Sequence, residues 1–412
     1  MSKKNFLLMA LSLILFTQVS FAQEAEKKEE NKKVELKPYG FIKGDMVYSS
    51  GGVTSFGLEN LGAAQIATGK DQEAVGFTAQ HTRLGIKGSV GDKIKAGGLV
   101  EIDFFGGSFD ANVKPRIRLA YASIISGGFE ARVGQQWDLF SPNNANTNNT
   151  NGNLWFAGNR GFRRGQVQLS YKIDNKSFAP MFQIALAEAT REDAGLGKDN
   201  LSGMPMFQAR VSGKIADKYT IGVSYVNASY LEAKGTIEAT GTIKDTLKSD
   251  RTFKTSGFGV DINLPFHKYF SLTGEFNTGK NLMNANLFNI SDNYSYVIDD
   301  DTKKVVDNNK KSMGFWLNAT STIKPWLQVV VGYGCDKNTS KDFIITATKK
   351  PIASNKVLYG DLIFPIKHGF SVALEYQYIT TNYITLLDTD GDIAHTDRFT
   401  AGIINLSAKL TF

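Results

Sequence analysis

Arginines and carboxylates recur at every second position in the first half of the sequence. Lys114, Arg116 and Arg118 show this spacing, and Glu101 and Asp103 show it a few residues earlier. In a β-strand, side chains two residues apart point to the same face. Such strands would line one surface with guanidinium groups, whose planar fork suits carboxylate and phosphate oxygens. The spacing therefore indicates a polar surface that can contact anions.

The same alternation assigns further charged side chains to this inner surface. Leu84 and Ile86 would face outward, as would Ala131 and Val133 around Arg132. Asp45 and Asp138 are predicted to face inward as well. Two roles remain open for this set: a ladder that selects anions, or salt bridges that fill and brace the interior. The predicted pore-lining residues are Arg83, Lys87, Arg116, Arg118, Arg132, Arg164, Arg210, Glu101, Asp103 and Glu130.

Strand-length segments would position these side chains. Between residues 35 and 412 the sequence alternates with a period of two, and we count sixteen candidate strands of about ten residues, the length that crosses a bilayer at a tilt. Tight turns such as residues 91–93 and 126–128 alternate with long polar loops. That alternation is typical of bacterial outer-membrane barrels, with turns in the periplasm and loops outside. The predicted fold is all-β: a transmembrane antiparallel β-barrel of about sixteen strands, located in the outer membrane.

The last strand and the aromatic residues support this interpretation. Leu406, Ala408, Leu410 and Phe412 share one face, and the sequence ends on that phenylalanine. Aromatic residues recur near predicted strand ends, where outer-membrane barrels carry outward-facing girdles. The examples are Tyr39, Tyr121, Tyr171, Tyr219, Phe270, Trp326 and Phe370.

The N-terminus predicts secretion. Lys3 and Lys4 precede an apolar run over residues 6–19, and small residues flank Phe21 before a cleavage site after Ala22. Residues 1–22 are predicted to be a signal peptide, residues 23–34 a flexible charged leader, and residues 35–412 the barrel. The sequence contains one cysteine, Cys335, so no intramolecular disulfide can form.

Four segments resemble a known family, the DcaP-like trimeric porins. They are residues 77–87 (FTAQHTRLGIK), 101–106 (EIDFFG), 115–118 (PRIR) and 131–137 (ARVGQQW). The phosphate-selective porins O and P share much of this pattern. Beyond residue 215 only the strand pattern and the terminal phenylalanine carry the resemblance.

Membership of this family would imply a homotrimer that passes small organic anions, notably dicarboxylates. It would also imply that Arg83, Arg116, Arg118 and Arg132 line the pore. The leader is short, so the long periplasmic coiled coil of some family members is not expected. The expected function is passive diffusion of small hydrophilic solutes with a preference for anions. The alternative is a plugged structural or adhesive barrel that binds a partner through its loops.

The third long loop, residues 139–162, is the predicted constriction. It is rich in asparagine, continues into Leu154-Trp155-Phe156, and ends near three arginines. In many porins the third loop folds into the pore; the alternative here is a mobile outer loop. The residues predicted to form the constriction are Asn143, Asn146, Asn149, Trp155 and Arg160.

Other features predict no further chemistry. Residues 388–392 (DTDGD) resemble the start of a calcium loop, but Phe399 occupies the position of the required glutamate. An acidic loop tip is the alternative. The four histidines lack a nucleophilic or metal-binding spacing, so no enzyme, metal or cofactor is predicted. Expected partners are small anionic solutes, outer-membrane lipid, lipopolysaccharide and further copies of the chain, and nucleic acid is not among them.

Overall fold

The fold is described from a computed structural model. The predicted signal peptide and the leader up to residue 33 lie outside the described residues. The structure describes residues 34–52, 73–106, 114–150, 154–189, 204–232, 236–239, 243–246, 251–287, 290, 296–298, 305–307, 309–341, 343, 345 and 350–412.

Sixteen antiparallel strands form a closed barrel, which confirms the predicted fold. Each strand pairs with its neighbours in sequence, and β1 pairs with β16 to close the sheet. The strands are β1 (Glu35–Ser49), β2 (Ala74–Thr78 and Arg83–Val90), β3 (Ile94–Asp103), β4 (Arg116–Ser126), β5 (Phe129–Trp137), β6 (Arg163–Lys172), β7 (Phe178–Ala187), β8 (Met206–Ile215), β9 (Tyr219–Glu232), β10 (Arg251–His267), β11 (Phe270–Lys280), β12 (Lys311–Lys324), β13 (Leu327–Asn338), β14 (Ile352–Pro365), β15 (Phe370–Leu387) and β16 (Ile393–Thr411).

Alternation along the strands separates an apolar outside from a polar inside. Val133, Val167 and Val331 are exposed on the outer surface, whereas Gln168 and Asn405 are buried on the inner surface. Outward apolar side chains in the bilayer and inward polar ones in the lumen are the pattern of an outer-membrane barrel. No helix in the described part of the chain has the length and apolar character to cross a membrane.

Strand β2 is broken between Thr78 and Arg83, whereas the alternation in the sequence predicts an uninterrupted strand here. Both halves pair with β1: Thr78 lies opposite Asp45 and Arg83 opposite Phe41. Between these two pairs, β2 advances by five residues while β1 advances by four. The extra residue in β2 lets the chain turn inward at His81. Breaks of this kind redirect side chains without losing the sheet.

A β-bulge in β4 overturns one outward assignment. Glu101 pairs with Leu119, but Ile102 pairs with Ile117, so Arg118 is the additional residue. Beyond the bulge the alternation is reversed, and the ring of Tyr121 lies 5.1 Å from the Arg132 guanidinium carbon. Tyr121 was predicted to belong to an outward girdle, and that prediction is wrong.

Tyr39 was also predicted for the girdle and also faces inward, because its hydroxyl donates to Glu101 at 3.0 Å. Short elements lie in the described parts of the long loops. A short 3₁₀-helix spans Leu282–Ala285, and two small hairpins pair Thr236–Ala239 with Ile243–Thr246 and Tyr296–Ile298 with Val305–Asp307.

Candidate functional site

The loop after β5 lies inside the barrel and follows its inner wall. The backbone N–H of Asn143 donates to Glu275 on β11 at 2.6 Å, and that of Asn146 donates to Asn318 on β12 at 3.1 Å. The N–H of Asn148 donates to a carboxylate on β15 at 2.7 Å. Successive loop residues therefore bind successive parts of the wall, through side chains that accept from the loop backbone. We call residues 141–150 the outbound limb.

The end of the outbound limb reaches the seam where the barrel closes. The amide of Asn148 donates to Asn405 and accepts from Ser407 on β16 at 2.8 Å. His81 lies between two partners: Nδ1 is 2.8 Å from a carboxylate oxygen of Asp45, and Nε2 is 2.9 Å from the side-chain oxygen Oδ1 of Asn149. The break in β2 thus places His81 where it connects the loop to β1.

A buried ionic network holds the root of the loop. Asp138 follows β5 directly and accepts from Nε of Arg164 at 2.9 and 3.0 Å. Gln208 on β8 donates to the same carboxylate at 2.6 Å and accepts from the backbone N–H of Leu139 at 2.8 Å. Arg164 also donates to the carbonyl of Ala285 at 2.8 Å. Since Arg164 is buried, it braces the loop root and does not face solutes.

Glu275 is the second anchor at the root. Beside the N–H of Asn143, it accepts from the Ser141 hydroxyl and from Nε1 of Trp316 at 3.1 Å. The carboxylate is buried and forms no ion pair with a basic side chain in the described part of the chain, so these donors are what compensate its removal from water.

The return limb, residues 154–162, lies against β12 and β13. Arg160 forms a fully buried ion pair with Asp336 on β13 at 2.9 Å. Burial lowers the pKa of Arg160 to about 10, so the guanidinium stays charged at neutral pH. A Cβ at Gly334 would lie 2.1 Å from the carbonyl oxygen of Ala157, and one at Gly158 would lie 2.1 Å from that of Phe315. Glycine at both positions is what allows the backbones to approach this closely.

Trp155 stabilises the return limb through contacts within the limb. Its Nε1 donates to the carbonyl of Gly161 at 2.8 Å, and its ring stacks on Phe162 at 5.1 Å. The structure therefore places the five predicted constriction residues in the lumen, where Asn143, Asn146 and Asn149 bind the wall. Arg160 is an anchor of the loop.

The wall across the lumen from β12 and β13 carries the arginines of β2, β4 and β5. Arg118 is 2% exposed and bonds Glu101 and Asp103, both at 2.9 Å. Arg116 makes a bidentate pair with Asp103 at 3.0 and 2.8 Å, and its side chain is 23% exposed. Arg83 is 20% exposed, lies 3.6 Å from Glu101 and donates to the Thr150 carbonyl at 3.1 Å. Three guanidinium groups thus share two carboxylates, which leaves one positive charge in excess.

The remaining predicted pore residues also include partly exposed and largely buried side chains. Arg132 is 32% exposed and pairs with Glu130 at 2.8 and 3.1 Å. Arg210 is 11% exposed and makes a bidentate pair with Asp261 at 2.9 and 2.7 Å. The Nζ of Lys87 lies 4.7 Å from the Tyr39 ring. All the predicted pore-lining residues are on the inner surface, but Arg118, Arg164 and Arg210 are largely buried in ion pairs.

Sequence reasoning missed the acceptors in the second half of the barrel. Glu275, Asn318, Glu375 and Asn405 hold the outbound limb, and Asp336 holds the return limb. Period-two alternation applied to β11, β12, β13, β15 and β16 would have placed these side chains inside. It would not have connected them with the loop, because the bonds span more than 100 residues of sequence.

Comparison with known proteins identifies the fold. No protein-family model and no curated protein sequence matches the chain. Among solved structures, the outer membrane channel DcaP of Acinetobacter baumannii matches with a TM-score of 0.69 at 17% identity, over 92% of this chain and 97% of that chain. An anion-selective porin from Comamonas acidovorans matches with a TM-score of 0.55 at 10% identity, over 92% and 100%. The trimer form of OmpT, an outer membrane protein of Vibrio cholerae, matches with a TM-score of 0.53 at 11% identity, over 92% and 99%.

These similarities agree with the resemblance seen in the N-terminal segments and extend it, at the level of the fold, to the whole barrel. At such low identities they carry no solute, partner or residue role across to this chain. The expectation that the chain is not an enzyme stays a prediction. The closed barrel with its apolar outer surface is that of an outer-membrane protein. The chain has the fold of the outer-membrane porins, with the DcaP channel as a close structural match.

Proposed function

We propose that the chain is a porin for passive diffusion of small hydrophilic solutes, with a preference for anions. The observation that carries this proposal is the partial exposure of Arg83, Arg116 and Arg132 on the wall that faces the loop. A cluster of partly exposed guanidinium groups raises the local concentration of anions. Carboxylates and phosphates suit it best, because the guanidinium fork can contact two oxygens at once.

The distribution of carboxylates also supports a preference for anions. Glu275 and Glu375 are buried beneath the outbound limb and accept hydrogen bonds from its backbone. Buried and satisfied in this way, they contribute less to the field in the water-filled space than the exposed arginines do. The loop therefore covers acidic wall and leaves basic wall in contact with solutes.

The proposed assembly is a homotrimer in the outer membrane, in contact with lipid and lipopolysaccharide. The support for it is the sequence resemblance and the fold shared with a protein whose structure is described as a trimer form. Small dicarboxylates are the first solutes to test, since each carboxylate can accept two hydrogen bonds from one guanidinium fork.

Single-channel recording in a planar bilayer under a salt gradient tests the proposal. We expect conductance in three steps and a reversal potential of anionic sign. The double variant Arg116→Gln/Arg132→Gln should move that potential toward the cationic side. An unchanged reversal potential would contradict the proposed role of these arginines in anion selectivity. A silent membrane, from protein shown to be folded by its heat-modifiable migration on gels, would favour the plugged, adhesive barrel.

A further inference from the structure

Three hairpin turns at the periplasmic end of the barrel share a composition. They join β10 to β11, β12 to β13 and β14 to β15, and each contains one lysine and no acidic residue. Short turns of this kind lie on the periplasmic side of an outer-membrane barrel. The three lysines, which we call the basic arc, are the exposed residues Lys268, Lys324 and Lys367.

The three turns are neighbours around the barrel. Strand β11 pairs with β12, and β13 pairs with β14. Each turn is therefore two strand spacings from the next, which is roughly 10 Å. This separation is comparable to the Debye length of about 8 Å at physiological ionic strength, so the potentials of neighbouring lysines overlap. The basic arc is thus one positively charged edge of the barrel.

Lysines in the turns of the first half of the barrel lie beside acids instead. Lys93 follows Asp92 between β2 and β3, and Lys172 forms an ion pair with Asp174 at 2.6 Å. The C-terminal carboxylate accepts from the N–H of Gly40 on β1 at 3.1 Å, at the seam where the barrel closes. The basic arc differs from the turns of the first half because its own turns carry no compensating acid.

Exposed aromatic rings lie beside the basic arc on the surface that faces the bilayer. Phe270 and Phe370 begin the strands that follow two of the turns, and Trp326 lies in the third turn; all three are exposed. Phe266 stacks on Phe270 with ring centroids 6.0 Å apart. Aromatic rings at the ends of barrel strands mark the boundary between acyl chains and headgroups. The lysines of the arc are therefore at the level of the phospholipid headgroups.

We propose that the basic arc and the rings beside it bind anionic phospholipids of the leaflet that faces the periplasm. Ammonium groups attract anionic headgroups, and the lysine stem can extend along apolar surface to place the charge among them. The rings would contact the upper part of the acyl chains. Since the acid-containing turns of the first half attract such headgroups less, the preference is confined to one side of the barrel. The site is outside the lumen, so the proposal does not depend on conductance or on anion preference.

Quenching of tryptophan fluorescence by brominated phospholipid tests the site, because Trp326 is exposed two residues after Lys324. The folded protein is reconstituted into vesicles of phosphatidylcholine that contain a minor fraction of phosphatidylglycerol. Bromine is placed on one lipid or on the other at the same composition, and a Trp326→Phe variant gives the emission to subtract. We expect brominated phosphatidylglycerol to quench Trp326 several-fold more than its share of the lipid predicts, and high salt should reduce this excess.

The arc variant Lys268→Gln/Lys324→Gln/Lys367→Gln should lose the excess quenching, with folding checked by heat-modifiable migration on gels. No excess in the native protein would overturn the proposal and leave a macromolecule of the periplasm as the partner of these lysines. An excess that persists in the folded arc variant would overturn it as well.

The matched control removes the same charge from the same rim, in turns that contain acids: Lys93→Gln/Lys172→Gln/Lys176→Gln. This control should keep the excess quenching. Equal loss in the control and the arc variant would contradict the proposal, because the net charge of the protein rather than the basic arc would then attract the lipid.

Discussion

On the wall beneath the loop, carboxylates and amides of β11, β12, β15 and β16 accept hydrogen bonds from the loop backbone, whereas on the facing wall carboxylates of β3 pair with arginines of β4. Both walls are rich in buried acidic groups. They differ in what compensates these groups: N–H and O–H donors bind Glu275 and Glu375 on one side, and guanidinium groups of the wall bind Glu101 and Asp103 on the other. Asp336 on the first side pairs with a guanidinium group of the loop itself, that of Arg160.

This difference assigns separate tasks to the two walls. Donors from the loop satisfy Glu275 and Glu375 only while the loop is in place, so loop position and wall stability are coupled. Arg116 and Arg132 keep part of their surface exposed after pairing with carboxylates. The first wall therefore fixes the shape of the passage, and the second sets the field that a solute meets.

The largest expected effect comes from breaking the ion pair of the return limb. Arg160→Met leaves Asp336 as a buried, uncompensated charge, and loss of one partner of a buried pair costs about 3–5 kcal/mol. We expect the unfolding free energy to fall by that amount, measured by urea titration in lipid vesicles with tryptophan fluorescence as the signal.

The double variant Arg160→Met/Asp336→Leu is the matched control. Replacing both partners by apolar groups of similar volume is often neutral, so it should recover much of the loss. If the double variant is as unstable as the single one, the ion pair is not what holds the return limb.

A smaller loss is expected at the root of the outbound limb. Glu275→Ala removes the acceptor for Ser141, Asn143 and Trp316. The two loop donors can turn to lumen water, so the main cost is the buried Nε1 of Trp316 left unsatisfied, about 1–3 kcal/mol. Glu275→Gln keeps an acceptor oxygen and should retain most of the stability. In recordings, Glu275→Ala should add current noise as the loop moves, while Glu275→Gln stays quiet. Equal noise in both variants would count against Glu275 as an anchor of the loop.

The barrel could be predicted from the sequence because its signal is local. Period-two alternation and the contrast between turns and loops repeat along each hairpin, so sixteen strands emerge without knowledge of distant contacts. One error occurs where an extra residue reverses the alternation. The other, at Tyr39, came from assigning an aromatic residue to the girdle although it shares the parity of the inward Asp45. Tyr121 lies beyond the bulge at Arg118, where the alternation is reversed. The break in β2 before Arg83 was not visible as a change in the alternation of apolar and polar residues.

The interior was less predictable, since it depends on distant pairs. The inward direction of Arg116 and Arg164 follows from alternation, but their difference in exposure does not. Arg164 is buried because Asp138 and the segment at Ala285 enclose it. Alternation placed Asp138 inside but did not pair it with Arg164, and the strand pattern does not place the loop segment at Ala285. Ion pairs between neighbouring strands, together with contacts from the loops, decide which arginines brace the wall and which can meet a solute.

Arg116 and Arg118 sharpen the comparison within one wall, because both bond Asp103. Arg116→Gln should lower the anion-to-cation permeability ratio several-fold, which the reversal potential reports. A unit charge about 4 Å from an ion contributes about 1 kcal/mol in water, and that energy corresponds to such a change. Arg118→Gln, at 2% exposure, should instead lower stability and shift selectivity less. If the two variants shift the reversal potential equally, exposure is not what sets the contribution of an arginine to selectivity.

The smallest stability effect is expected for Glu130→Gln, which removes the partner of Arg132. This pair is partly exposed, with side chains 32% and 22% accessible, so its contribution to stability is at most about 1 kcal/mol. Selectivity should respond more, because the change frees a guanidinium group in the lumen and raises the preference for anions. Arg132→Gln should do the opposite, and recordings of the two variants under the same salt gradient make the comparison. If Glu130→Gln leaves the reversal potential unchanged while Arg116→Gln moves it, then β4 rather than β5 carries the selective field.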